Sequence, residues 1–156
     1  METSHSFSVK ASSTIVRSGL VIAEGIQPSI AFNAPPEFQG QRGYWTPEHF
    51  LVAAVASCFV STFSGMAAAS KFEFLSLNLE AQGIVEKDEV GWKFSEVVLR
   101  PRLKIARAQD LDRGNRLLVK AEKNCLIGRS LACPLSMEPE ITMNTELVTS
   151  ESNAVL

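Results

Sequence analysis

Phe7, Val9 and Ala11 alternate with polar residues, the period of two that marks a half-buried strand. A turn at Arg17-Ser18-Gly19 leads to a second strand over Leu20 to Ala23, and Pro28 to Phe32 reads as a third. Asn33 to Gly43, interrupted by Pro35, Pro36, Gly40 and Gly43, is a loop. Thr46-Pro47-Glu48 then opens a helix. A threonine side chain caps free backbone N–H groups, proline fits the first position and glutamate suits the positive end of the dipole. This helix runs from Pro47 to about Ser70 and is apolar or small all round, the pattern of a buried central helix.

Phe74 to Lys87 and Trp92 to Ile105 predict two longer strands, joined as a hairpin at Asp88-Glu89-Val90-Gly91. Asp110 is placed to cap a second helix, in which Leu111, Leu117, Leu118 and Ala121 form one apolar stripe. That helix ends near Lys123-Asn124, and a short helical turn is expected over Cys125 to Leu131. Pro134 breaks the chain, Glu140 to Leu147 is a last strand, and the tail after Thr149 (about 150–156) is expected to fray. The order predicts an α+β fold over a single domain, 1–156, with helices on antiparallel sheet.

Composition narrows the function classes. A chain of 156 residues with 46% apolar and 21% charged content can bury a core as one soluble domain. A net charge of −2, with no clustered basic run, gives no electrostatic basis for nucleic-acid binding. Met1 to Ser13 lacks the basic and apolar regions of a leader, so a cytoplasmic location is expected. There a disulfide is more often catalytic than structural. The three cysteines and His5 and His49 have no metal-ligand spacing, so no metal is expected. Phe50 to Ser70 is uncharged and about long enough to cross a bilayer. Its Ser57, Ser61, Thr62 and Ser64, and its many small residues, favour a core helix over a membrane span.

From spacing alone, Cys58, Cys125 and Cys133 read equally well as small buried hydrophobes. A wider pattern separates them. The segment Thr46-Pro47-Glu48-His49-Phe50-Leu51-Val52-Ala53-Ala54-Val55-Ala56-Ser57-Cys58-Phe59 closely resembles the signature helix of the OsmC/Ohr hydroperoxide reductases. In that family the reactive cysteine follows the glutamate by ten residues. Ala121-Glu122-Lys123-Asn124-Cys125-Leu126-Ile127-Gly128-Arg129-Ser130-Leu131 is similar to the family's second-cysteine segment. Two departures stand out. Thr46 occupies a position commonly held by asparagine, and Leu126 one commonly held by proline.

The resemblance implies an OsmC-like α+β fold, with antiparallel sheets around a long buried central helix in an intertwined homodimer. It also implies a cysteine peroxidase of oxidative-stress defence that reduces organic hydroperoxides, and hydrogen peroxide as a further substrate. Cys58 would attack as a thiolate and form a sulfenic acid, and Cys125 would resolve it as a disulfide. No bound cofactor is implied. An external thiol or dithiol, lipoyl groups in the Ohr branch, would return the electrons. An arginine would stabilise the developing charge, with Glu48 holding its guanidinium. Arg17 resembles the loop arginine of the Ohr branch, and Arg42 is the alternative. Ten residues of straight helix separate Glu48 from Cys58 by about 15 Å, which favours a second subunit completing the site. Phe38, Tyr44, Trp45 and Phe59 are candidates to line an apolar substrate pocket. The rival readings are an OsmC-fold protein without peroxidase turnover, serving as redox sensor or small-molecule binder, and a different thiol chemistry such as hydrolysis.

Overall fold

A computed structural model describes residues 3–144. Two compact units divide within the long helix, between Leu51 and Val52.

In the first unit β1 (Lys10–Ile15), β2 (Ser18–Ala23) and β3 (Ile26–Asn33) form an antiparallel meander. The turn between β1 and β2 places Arg17 at φ 66°, a left-handed conformation that reverses the chain in two residues. Gly19 follows because the strands approach too closely for a side chain: a Cβ there would lie 2.2 Å from the Ser12 carbonyl oxygen. Strand pairing does not begin at Phe7. Phe7 and Val9 precede β1, are 94% and 69% exposed, and all six β1 residues are exposed as well. Alternation reports extended chain, but burial needs a second layer, and alternation says nothing of that.

Helix α1 (Pro47–Ala69) carries Thr46 as its cap, with the His49 N–H donating to Thr46 Oγ1 at 3.3 Å. It is long and apolar enough to cross a bilayer, with mean hydropathy 1.8 over 18 residues. In the chain it is instead buried along one stripe, Val55, Phe59, Phe63 and Ala67, spaced by four residues. The all-round burial expected of this helix is therefore not reached within one chain.

The second unit sets that stripe in a core with a sheet. β4 (Ser76–Lys87) and β5 (Trp92–Ile105) pair antiparallel over their whole length around the Asp88–Gly91 turn. On its other edge β5 takes β6 (Leu135–Met137) and β7 (Glu140–Met143), and both run parallel to it. The sheet is thus mixed rather than wholly antiparallel. As its central strand, β5 buries Val97, Val98, Leu99, Leu103 and Ile105. Phe63 meets the rings of Phe72 and Phe74 edge-on.

Helix α2 (Leu111–Asn124) buries Gly114, Leu117, Leu118 and Ala121, whereas Leu111 is 39% exposed and lies outside the stripe. Gly114 permits its close approach to the sheet, since a Cβ there would touch Leu103 and Ile141 at 3.1 and 3.3 Å. Asp110 precedes α2 but does not cap it: its carboxylate accepts from Arg107 Nε at 2.8 Å. An arginine three residues upstream competes for that carboxylate. The expected last strand reaches Met143. Asn144 is no longer strand, and residues 145–147 of the expected range, with the tail after Thr149, lie outside the described residues.

Phe59→Ala removes a fully buried ring from the α1 stripe. It should lower stability by about 3–5 kcal/mol, read as a reduced urea midpoint with an unchanged slope.

Candidate active site

The cysteine pair is built where α1 meets the end of α2. Cys58 follows Val55 by three residues, so it lies on the flank of the buried stripe and is half-buried. Cys125 ends α2 with extended backbone (φ −64°, ψ 110°) and caps α3 (Leu126–Arg129), its sulfur accepting from the Gly128 N–H at 3.4 Å. It is wholly buried, and its thiol points at the Val55 carbonyl oxygen of α1 at 3.9 Å. Both cysteines are free, and each shifts the pKa of the other.

Four donors converge on the Cys58 sulfur. Burial raises the pKa of this thiol. Hydrogen bonds from the Ile127 N–H, the Cys125 thiol, the Thr62 hydroxyl and the Leu126 N–H outweigh it, and the net effect is a lowered pKa. Leu126 supplies an N–H that a proline there would lack. Cys125 responds in the opposite sense. Burial, then its hydrogen bond to Cys58 and the Cys58 charge, push its thiol up to about 11, despite the Gly128 N–H. Of the two thiols, Cys58 is thus the more readily ionised. The arrangement sets a thiol of lowered pKa beside a second thiol of raised pKa, and the thiolate form is the reactive one.

The charged candidates are placed differently. The Arg17 guanidinium donates to the Phe38 carbonyl oxygen and, at 3.0 Å, to Gln39 Oε1. Arg42 is exposed in the loop before α1. Glu48 lies in the first turn of α1, and its Oε2 is buried without a hydrogen-bond partner among the described residues. No Glu48–arginine ion pair forms among the described residues of the single chain. Cys133 is half-buried in the loop before β6.

Of the aromatic candidates, Phe59 is fully buried in the core and lines no pocket. Tyr44 and Trp45 border a shallow depression of about 330 Å³ together with Gly43 and His49, and Trp45 stacks on Phe50 at 5.9 Å. The donors around Cys58 escaped the sequence reading. Two are backbone N–H groups, which carry no residue signature. Thr62 had one available signal, its position one helical turn after the cysteine.

The chain was compared with known proteins. It is 25% identical over 142 residues to the uncharacterised protein YmaD of Bacillus subtilis, covering 89% of this chain and 95% of that one. An OsmC-like protein of unknown function from Vibrio cholerae superposes with a TM-score of 0.77 at 22% identity, covering 87% of this chain and 99% of that one. An organic hydroperoxide resistance protein OsmC from Legionella pneumophila gives 0.72 at 19% identity, covering 90% and 99%. These two structures share the fold. The family model for OsmC-like proteins matches residues 39–140, a span that contains α1, Cys58, Cys125 and the sheet through β6, ending at the first residue of β7. The chain belongs to the OsmC-like protein family.

Proposed function

We propose that this protein is a cytoplasmic thiol peroxidase that reduces organic hydroperoxides, and hydrogen peroxide as a further substrate, through Cys58 and Cys125. The observation that carries this reading is the Cys58 sulfur, whose surrounding donors lower its pKa and favour the thiolate, beside a second thiol. The chemistry follows from that polarity. The thiolate attacks one peroxide oxygen, an S–O bond forms and the O–O bond breaks. The departing alkoxide takes a proton from water and leaves as alcohol, and Cys58 becomes a sulfenic acid. Cys125 then attacks the Cys58 sulfur, and its proton leaves with the hydroxide as water. An external dithiol, such as a lipoyl group, donates two electrons and two protons and becomes a disulfide.

The same reading gives Cys125 a timing. Part of its raised pKa comes from the Cys58 charge and from the bond it donates to that sulfur. Oxidation of Cys58 removes that charge, so Cys125 ionises more readily once there is a sulfenic acid to attack.

A homodimer completes the reading. Ile15, Val16, Leu20, Ile22, Ile26 and Ile30 are exposed in the first unit. So much surface apolar side chain favours a second copy over solvent. The unpartnered Glu48 Oε2 suits a guanidinium delivered to it in the assembled protein, by Arg17 or by Arg42.

Cys58→Ser should abolish peroxide reduction, and Cys125→Ser should complete one turnover and stall as a sulfenic acid that overoxidises. Single-turnover kinetics and intact mass read both outcomes. Peptide mapping after peroxide should find a Cys58–Cys125 disulfide, and Cys133→Ser should change little. Arg17→Ala should slow the first attack by about 10²–10³-fold. An unaffected Arg17→Ala beside a crippled Arg42→Ala moves that role to Arg42. Light scattering should give about twice the 17.0 kDa chain mass, and an active monomer refutes the shared site. Finally, iodoacetamide labelling of Cys58 should rise with pH to a plateau whose midpoint lies below that of an ordinary thiol. The thiolate is the reacting form, and a lowered pKa moves its appearance to lower pH. Cys125, buried and with its pKa raised, should label only at higher pH than Cys58.

A further inference from the structure

The hydroxyl groups along α1 divide by what they face. Ser57 donates to the Ala54 carbonyl oxygen at 3.2 Å and Ser61 to that of Cys58 at 3.0 Å, the ordinary bonds of a serine within a helix. Ser70, just past the end, donates to the Met66 carbonyl oxygen at 2.8 Å. Thr62 is turned elsewhere. Its Oγ1 lies 4.0 Å from Cys58 Sγ, one helical turn away, at the outer range of a bond to sulfur. Its position on the helix explains the direction. A residue four places on sits on the same face as the cysteine, at the edge of the Val55–Phe59–Phe63 stripe, where the helix's rotation is set by packing.

We propose that Thr62 is a further catalytic residue: its hydroxyl donates to the Cys58 sulfur and holds the thiolate in its reactive state and direction. A thiolate has no hydrogen to give, so in the ionised state the hydroxyl is necessarily the donor of this pair. The Ile127 and Leu126 N–H groups and the Cys125 thiol also donate to that sulfur, and Thr62 is the one donor supplied by the helix that carries Cys58. α1 therefore fixes the sulfur independently of how α3 moves when Cys125 reacts. The role is one of charge stabilisation and orientation, with no proton lost from Thr62. The proposal rests on Cys58 being the nucleophile of the peroxidase reading, but its test needs no peroxide.

The experiment compares wild type, Thr62→Val and Thr62→Ser by the pH dependence of iodoacetamide labelling of the Cys58 peptide, read by mass spectrometry. Circular dichroism first establishes that each variant is folded. Thr62→Ala, which adds no bulk, replaces Thr62→Val if the latter is not folded. Thr62→Val should raise the labelling midpoint by about half to one pH unit and slow labelling at pH 7 by about threefold to tenfold, the loss expected for one donor to a charged acceptor. Thr62→Ser keeps the hydroxyl and should restore both. A midpoint unchanged in Thr62→Val overturns the proposal, and so does an equal shift in Thr62→Val and Thr62→Ser, which assigns the effect to packing. Loss of this result leaves peroxide turnover by Cys58 untouched. Absence of peroxidase activity in wild type, with the labelling shift intact, removes the peroxidase reading and leaves the thiolate donor in place.

Discussion

Everything around Cys58 depends on how α1 is rotated about its own axis. The stripe Val55, Phe59, Phe63 and Ala67 is buried while most of the remaining surface of the helix is only half-covered or exposed. A helix that is apolar all round has no rotational preference of its own. The two phenylalanines choose one, because burying a ring yields more than burying an alanine or serine. Phe63 seats against Phe72 and Phe74, and a Cβ on Gly83 of β4 would collide with Val52 and Phe94. With the rotation set, Cys58 comes to the flank of the stripe and Thr62 to the same flank. The Val55 carbonyl oxygen faces Cys125.

A half-buried cysteine is normally a poor thiolate, since burial penalises charge. The penalty is present here and is overcome by donors that the fold has already fixed. α3 is only four residues long, yet its first N–H groups have no partners within the helix and are free to face the sulfurs. Gly128 serves Cys125, Leu126 serves Cys58, and Ile127 acts on both. Cys125 occupies both roles at the junction, ending α2 and capping α3, so the backbone that places the second thiol also stabilises the first.

The two thiols are shifted in opposite directions, and the difference has a structural origin. Cys125 is fully buried and Cys58 is not. The thiol favoured to ionise is therefore the one that solvent can reach.

Periodicity and punctuation alone determined most elements: β5 over Trp92–Ile105 and α1 from Pro47 to within a residue of its end are set by local patterns and by the capping residues that bound them. The long uncharged helix and the family-like segments around Cys58 and Cys125 were equally legible, because side-chain identity carries them. Tertiary structure decided the rest. Parallel pairing of β6 and β7 with β5 depends on contacts far apart in sequence, for which local alternation has no term. Phe7 and Val9 are exposed because burial is a property of neighbours, and Asp110 turns to Arg107 because two partners compete for one carboxylate. The backbone donors on Cys58 were invisible for the plainest reason. An N–H group is the same in nearly every residue, and only its position in space makes it part of a site.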